Sequence, residues 1–360
     1  MRRLSVATLS LLAFSATLAA SAGAQQPAAA APRPQSPAAA PASGEYPGLE
    51  TGKMWTFDVP PLEYWARRYN FRPTQDWLDH VRLASARQPG CSASFVSGDG
   101  LAMTNHHCAR ACIEAATRQG EDLLENGFYA RTRADERPCA NLFLDQLLSI
   151  TDVTDSVNAA VPAAAPAGRA ADLRAAATRG LEERCAAGMP DLSCQVVTMY
   201  RGGQYKLYRF RRFRDVRLVF AVESQTAFFG GDPDNFTYPR HDLDLSIYRA
   251  YVNNEPAHTE FFAWSRGGTS EGDLVFVTGN PGSTGRLNTL AQLEYLRDVQ
   301  YPAQLAALAR QITVYHQVLD LGGERGATIR NTLFGAENTQ KAVQGYISFF
   351  ADPQLMTRKR

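Results

Sequence analysis

This sequence lacks both a strong charge imbalance and long apolar runs. Its 37 Lys and Arg residues nearly balance 36 Asp and Glu residues, so the formal net charge is only +1. Nucleic-acid-binding domains usually carry a basic excess, so we expect no nucleic-acid partner. After residue 24, no stretch reaches the roughly 18 consecutive apolar residues that indicate a membrane helix. We therefore expect no membrane span.

Motifs for bound cofactors are missing as well. The sequence contains no Cys-x-x-Cys-His motif, which argues against attached haem. His106, His107, Cys108 and Cys112 are the residues that would suggest zinc. Three of them are consecutive in the chain, and consecutive side chains are poorly placed to converge on one tetrahedral ion. We expect no cofactor and no metal.

The N-terminus has the composition of a secretory signal peptide. Met1-Arg2-Arg3 precedes a moderately apolar stretch, and Ala22-Gly23-Ala24 gives a cleavage site of small residues. The sequence therefore predicts a signal peptide over residues 1–24 and an exported protein. Residues 25–50 are rich in Ala, Pro, Gln and Ser, which predicts a flexible linker.

Cysteine is scarce but even in number. In an exported chain an even count suggests disulfides, here three, without fixing which pairs form. Residues 156–193 form an Ala-rich segment that we interpret as a partly helical insertion, and Cys185 and Cys194 flank its end, so we expect them to pair locally. The six cysteines are Cys91, Cys108, Cys112, Cys139, Cys185 and Cys194.

Hydrophobic periodicity predicts a β-rich region followed by helices. A helix capped by Thr74 is expected to end at Pro89-Gly90, and a hairpin should follow, with strands over 92–96 and 101–104. Two strands are expected within 205–222, and one at 274–277. Beyond 287 the period is helical. The order suggests a β-barrel domain joined to a helical one.

The segment Thr104-Asn105-His106-His107-Cys108 resembles the way trypsin-like barrels present their general base. There a histidine just before a cysteine follows a strand, and that cysteine is bridged to one on the preceding strand. Cys91 lies 17 residues before Cys108, so the resemblance implies a Cys91–Cys108 disulfide. We favour His107 over His106 because it adjoins the cysteine and because neighbours on an extended strand face opposite ways. The alternative is a structural histidine pair.

A base histidine needs a carboxylate on its other ring nitrogen, and Asp244 is the favoured candidate. In trypsin-like barrels that aspartate opens a strand of alternating apolar residues, as Asp244 does before Leu245-Ser246-Ile247. Asp242 is the competitor, two residues earlier on the same predicted strand face. The alternative is that both are surface residues beside Arg240 and Arg249.

The nucleophile is not evident. Trypsin-like enzymes carry it in a Gly-x-Ser-Gly type turn whose backbone donors form the oxyanion hole. No such turn follows Asp244 in this sequence. Ser283, in Gly279-Asn280-Pro281-Gly282-Ser283, is the nearest candidate, but that segment resembles the turn after the first strand of a second barrel. We predict that the nucleophile is absent from this chain.

Taken together, several segments resemble the bacterial serine dipeptidyl-peptidases that include dipeptidyl-peptidases seven and eleven. The family resemblance implies a mainly β fold with helices: a chymotrypsin-like double β-barrel with an inserted helical domain. It assigns residues 51–286 to the first barrel and the first strand of the second, and 287–360 to a truncated helical domain. The matching segments are Gly52-Lys53-Met54-Trp55-Thr56-Phe57, CSASFVSGDGLAMTNHHCA, GGDPDNFTYPRHDLDLSIYRAY and VTGNPGST.

The same resemblance implies residue roles and a substrate class. His107 and Asp244 fall on the family's catalytic positions, and Asn235 and Phe236 on those that bind the substrate's free N-terminus. Phe236 stands where tryptophan is usual, and His241-Asp242-Leu243-Asp244 replaces the usual His-Thr-Gly-Asp. The remaining pair, Cys112–Cys139, is predicted as the third disulfide.

The resemblance implies an enzyme that releases N-terminal dipeptides from peptides in the periplasm or at the surface of a Gram-negative bacterium. A homodimer is implied for the full-length form. Because family members are longer, we expect this chain to be an N-terminal portion that is inactive alone. One alternative stays open, a secreted, non-catalytic binding protein that retains the first barrel. A third possibility is an endopeptidase related to periplasmic quality-control proteases, but the GGDPDN loop and the helical segment argue against it.

Overall fold

The computed structural model describes residues 54–227, 234–237, 239–281, 285, 288–352 and 356–357. The predicted signal peptide (1–24), the predicted linker (25–50) and Ser283 lie outside the described residues. No helix in the described part is long and apolar enough to cross a membrane.

Two short helices open the described chain, α1 (Leu62–Tyr69) and α2 (Gln75–Ala84). The Thr74 hydroxyl caps α2 as predicted, since it accepts a hydrogen bond from the backbone N–H of Trp77 at 3.2 Å. The predicted end of this helix at Pro89-Gly90 is wrong. The chain leaves the helix at Ala84, and β1 (Ser85–Gln88) pairs with two other strands. Pairing in the sheet therefore outweighs the helical pattern there.

The described strands form one large antiparallel sheet. Their order is β4-β9-β10-β3-β2-β1-β6-β8-β7, with β11 beside β10 and β5 beside β9. The strands after β1 are β2 (Cys91–Phe95), β3 (Leu101–Thr104), β4 (Phe128–Tyr129), β5 (Arg137–Pro138), β6 (Leu144–Asp152), β7 (Leu192–Met199), β8 (Gln204–Phe213), β9 (Asp215–Ala221), β10 (Ser246–Val252) and β11 (Glu255–Pro256).

The sheet curls because β8 and β9 are separated only by Arg214, although they lie near opposite ends of the strand order. The described strands do not close it into a barrel. Side chains of its strands form the main core with Ile113 and its neighbours on the helix that spans His106–Ala116. The core includes Phe95, Leu144, Phe213, Leu218 and Tyr248, each at most 1% exposed.

The β2–β3 hairpin forms where the sequence predicts it. Its turn depends on Gly100, whose φ is +80° and whose position leaves no room for a side chain. A Cβ there would lie 2.8 Å from the carbonyl oxygen of Ala250. The hairpin is therefore held close against β10 at this point.

The remaining helices surround the sheet. The Ala-rich segment is partly helical, as expected, and forms α5 and α6, although its last residues already belong to β7. The region after 287 is helical as predicted, and residues 296–300 link α7 and α8 as a π-helical turn. These helices are α3 (His106–Ala116), α4 (Leu123–Asn126), α5 (Thr154–Ala159), α6 (Ala167–Ala186), α7 (Leu290–Tyr295), α8 (Tyr301–Asp320) and α9 (Gly323–Phe350).

The segment at 274–277, predicted as the first strand of a second barrel, pairs with no strand among the described residues. Phe276 inserts between Trp65, Phe71 and Trp77, with ring centroids 5.0–5.5 Å apart. Its neighbour Val277 is 95% exposed. The aromatic contacts anchor this segment to α1 and α2 in place of backbone pairing.

Candidate active site

The site forms where β3 passes into α3 and where the chain enters β10. Pairing of Ser246 with Thr104 brings these two positions side by side. His107 Nδ1 lies 2.6 Å from Asp244 Oδ2, and the backbone N–H of His107 donates to Asp244 Oδ1 at 3.0 Å. The structure thus brings together the two residues that the sequence pattern singles out.

The two histidines are separated by helical geometry. The expectation that they occupy an extended strand and face opposite ways is wrong, because both lie in the first turn of α3, where neighbouring side chains diverge by about 100°. His106 is fully buried, and burial together with the nearby Arg110 lowers its pKa. The His107 side chain is 30% exposed. Only His107 is both accessible and in contact with Asp244.

Asp244 is held as a carboxylate. Burial raises its pKa, but hydrogen bonds from His107 and from Asn105 Nδ2, at 3.1 Å, together lower it by more. The net pKa therefore lies below its ordinary value. The competing Asp242 instead forms an ion pair with Arg240 at 2.6 Å. Between the two aspartates, Asp244 is the one that contacts the histidine ring.

Disulfides fix α3 at its first turn and near its middle. Cys91–Cys108 joins the start of β2 to the first turn of α3, with Cα atoms 6.2 Å apart, and Cys112–Cys139 holds the helix one turn further on. Cys185–Cys194 closes the end of the Ala-rich segment, so all three predicted pairs are present. This rigidity matters because an error of about 1 Å in the placement of a base costs roughly 100-fold in rate.

Cys91, His107 and Cys108 are the group within the described chain whose ligand atoms lie close enough together to hold a metal ion. Both sulfur atoms are in the Cys91–Cys108 disulfide and therefore offer no thiolate ligand. The zinc interpretation of this segment has no support in the structure.

Asn235 and Phe236 lie on the loop that leads to Asp244. Asn235 is 5% exposed, and its Nδ2 donates to Oδ1 of Asn338 on α9 at 3.0 Å. Phe236 has a φ of +64° and a ring that is 62% exposed. A buried amide thus stands beside a projecting aromatic ring.

Asn338 is a residue that the sequence pattern did not identify. It is 103 residues from Asn235, and only the folding of α9 across the loop brings the two together. Two turns earlier on α9, Asn331 donates to Glu114 of α3 at 2.9 Å. One helix therefore contacts both the helix of His107 and the loop of Asn235.

This chain belongs to the peptidase S46 family, which it matches over residues 49–360. It is 32% identical over 286 residues to the Asp/Glu-specific dipeptidyl-peptidase of Shewanella putrefaciens. The aligned region covers 75% of this chain and 38% of that protein. It is 33% identical to dipeptidyl-peptidase 7 of Phocaeicola vulgatus, over 57% of this chain and 31% of the relative.

Solved structures agree with this assignment. The structure of Porphyromonas endodontalis DPP11 in complex with the dipeptide Arg-Asp matches with a TM-score of 0.69 and 25% identity. The match covers 78% of this chain and 43% of that chain. The predicted family is confirmed. The predicted fold of strands with helices is confirmed as a mixed α/β fold with a large antiparallel sheet, which, over the described residues, is not closed into a barrel. The chain spans less than half the length of these relatives.

Proposed function

We propose that this member of the peptidase S46 family supplies the general base and the orienting carboxylate of a serine dipeptidyl-peptidase. The 2.6 Å contact between His107 Nδ1 and Asp244 Oδ2 is the observation that carries the proposal. With Nδ1 donating to the carboxylate, Nε2 is the nitrogen that accepts the proton of an attacking serine and returns it to the leaving amine. Asp244 fixes this tautomer and stabilises the imidazolium.

Release of dipeptides requires recognition of the substrate's free N-terminus. In the proposal, Asn235 Oδ1 accepts a hydrogen bond from the terminal ammonium, and the ring of Phe236 forms the apolar wall beside it. The bond from Asn235 Nδ2 to Asn338 supports this role, because a donating NH₂ group fixes the direction in which the amide oxygen faces. An N-acetylated peptide would bring only one uncharged amide N–H to this acceptor, in place of the charged ammonium, and would therefore bind more weakly.

The nucleophilic serine and the oxyanion donors are proposed to lie on sequence outside these 360 residues. The absence of a Gly-x-Ser-Gly turn after Asp244 supports this proposal. Three disulfides and the N-terminal composition support export, and the periplasm or cell surface of a Gram-negative bacterium is the proposed location. A homodimer is proposed for the full-length enzyme from the family resemblance.

Hydrolysis of paired substrates tests the function. The product of the complete reading frame should release dipeptides from fluorogenic dipeptidyl substrates and spare their N-acetylated forms, whereas residues 25–360 alone should release none. His107→Ala should lower the rate by at least about 10³-fold, as loss of a triad member does. His258→Ala, which removes an exposed histidine elsewhere, is the matched control and should leave the rate unchanged.

Each failure has a distinct meaning. Equal hydrolysis of acetylated substrates would refute the exopeptidase assignment and favour an endopeptidase. Peptide binding without any turnover would favour the non-catalytic binding protein. Turnover by residues 25–360 alone would mean that a serine in this chain is the nucleophile, and Ser283 would be the first to replace.

A further inference from the structure

The N-terminus of α3 is capped in an unusual way. Asn105 occupies the N-cap position, with φ −71° and ψ 147°, but its side chain makes no hydrogen bond to the helix. A capping side chain ordinarily accepts from the backbone N–H two or three residues later. Here Asp244 Oδ1 accepts from that group, the N–H of His107, at 3.0 Å. The capping acceptor thus comes from the chain entering β10.

The side chain of Asn105 acts as a hydrogen-bond donor to Asp244 and not as the acceptor of a helix cap. Its Nδ2 lies 3.1 Å from Asp244 Oδ2 and 3.4 Å from the backbone oxygen of Asp244. Oδ2 is also the oxygen that contacts His107 Nδ1. Because both acceptors are oxygens, the group of Asn105 that faces them is its NH₂.

These contacts determine the orientation of the carboxylate. Rotation of the Asp244 side chain would separate Oδ1 from the His107 N–H and Oδ2 from the ring and from Asn105 together. Asn105 also contacts the Asp244 main chain, so one amide links the start of α3 to both parts of that residue. Asn105 therefore ties the Asp244 carboxylate to the start of α3, although the two residues are 139 positions apart in sequence.

We propose that Asn105 is a positioning residue, which holds Asp244 Oδ2 toward His107 Nδ1 by donating to it. The proposal deepens the proposed function, because it concerns the same dyad. It predicts that the hydrogen-bond donor of Asn105 matters rather than its shape. Asparagine and aspartate have the same shape, but aspartate offers an ionised acceptor to the Asp244 carboxylate and repels it.

Proton NMR of the unmodified 360-residue chain at pH 7 tests this without requiring activity. The proton shared between His107 Nδ1 and Asp244 should give a far-downfield resonance, identified by its loss in His107→Ala. In Asn105→Ala, exchange of that proton with water should be about 10-fold faster, since one hydrogen bond to a charged group is lost. In Asn105→Asp the resonance should broaden beyond detection. Asn158→Asp, the same change on the exposed face of α5, should leave it unchanged.

The outcomes separate the two proposals. A wild-type chain without the resonance would refute the dyad itself, and the role of Asn105 with it. A wild-type resonance that is unchanged in Asn105→Ala, or less affected by Asn105→Asp than by Asn105→Ala, would refute the positioning role alone and indicate a role in shape. If circular dichroism shows that Asn105→Asp is unfolded, the exchange rate in folded Asn105→Ala decides the question.

Discussion

Replacement of Asp244 by asparagine should separate the start of α3 from the start of β10. The carboxylate accepts from His107 N, His107 Nδ1 and Asn105 Nδ2 at 3.0, 2.6 and 3.1 Å. An amide has the same shape but only one acceptor oxygen, so at least one donor loses its partner. Hydrogen bonds to charged groups contribute roughly 1.5–3 kcal/mol each. Because Asp244 is only 12% exposed, we expect the free energy of unfolding at pH 7 to fall by about 2–3 kcal/mol.

The size of this loss should depend on pH in a defined direction. Burial raises the pKa of Asp244, but the hydrogen bonds from His107 and Asn105 bring it below 3.8. A carboxyl group with a depressed folded pKa stabilises the protein fully above its unfolded pKa and ceases to do so as the pH falls through the folded value. The difference in unfolding free energy between wild type and Asp244→Asn should therefore be full at pH 7 and shrink below about pH 4.

Urea unfolding followed by tryptophan fluorescence, at pH 7 and in steps down to pH 3, measures both effects. Asp172→Asn removes the same charge from an exposed position on α6 and is the matched control, with an expected change within about 0.5 kcal/mol. Coincident unfolding of wild type and Asp244→Asn at pH 7 would refute the reasoning. So would a difference that grows as the pH falls.

Further changes test the surrounding framework. Gly100→Ala should lower the free energy of unfolding by about 1–3 kcal/mol, because the backbone has a positive φ there and the added methyl group would clash with the Ala250 oxygen. Gly168→Ala, in an open helical position, should raise that free energy by about 0.5–1 kcal/mol. Joint replacement of Cys112 and Cys139 by alanine should cost about 3 kcal/mol, measured by urea unfolding; no loss would show that the bridge does not restrain the chain. In the active enzyme, Asn338→Ala should raise KM for free-amine substrates about 10-fold with kcat nearly unchanged. A fall in kcat as large as the rise in KM would contradict its role in orienting Asn235 for binding of the amine.

Local sequence signals account for the parts of the site that could be predicted. The β2–β3 hairpin has alternating strands around a Gly-rich turn, and the segment through His107 and Cys108 follows it directly. Asp244 could be chosen because it opens a strand, and the structure pairs that strand with β3. The features involved are all read from a few neighbouring residues.

The parts that could not be predicted depend on distant partners. β1 follows α2 without a break, and its extended form exists only because β2 and β6 flank it. Asn338 lies on a helix whose surface residues carry no pattern that would point to Asn235. Local sequence does not predict that α3 begins at His106, because the acceptor that caps the backbone N–H of His107 belongs to Asp244, far along the chain. In each case the deciding group is absent from the local sequence.

The disulfide connectivity has a consequence for biogenesis. The loops closed by Cys91–Cys108, Cys112–Cys139 and Cys185–Cys194 follow one another along the chain and neither overlap nor enclose each other. If the chain emerges from a translocation channel N-terminus first, each cysteine meets its native partner as the next cysteine to appear. Oxidation in order of emergence therefore gives the native pairing. On that route a thiol oxidase alone would form the three bonds in their native pairing, and no step would call for a disulfide isomerase to rearrange them.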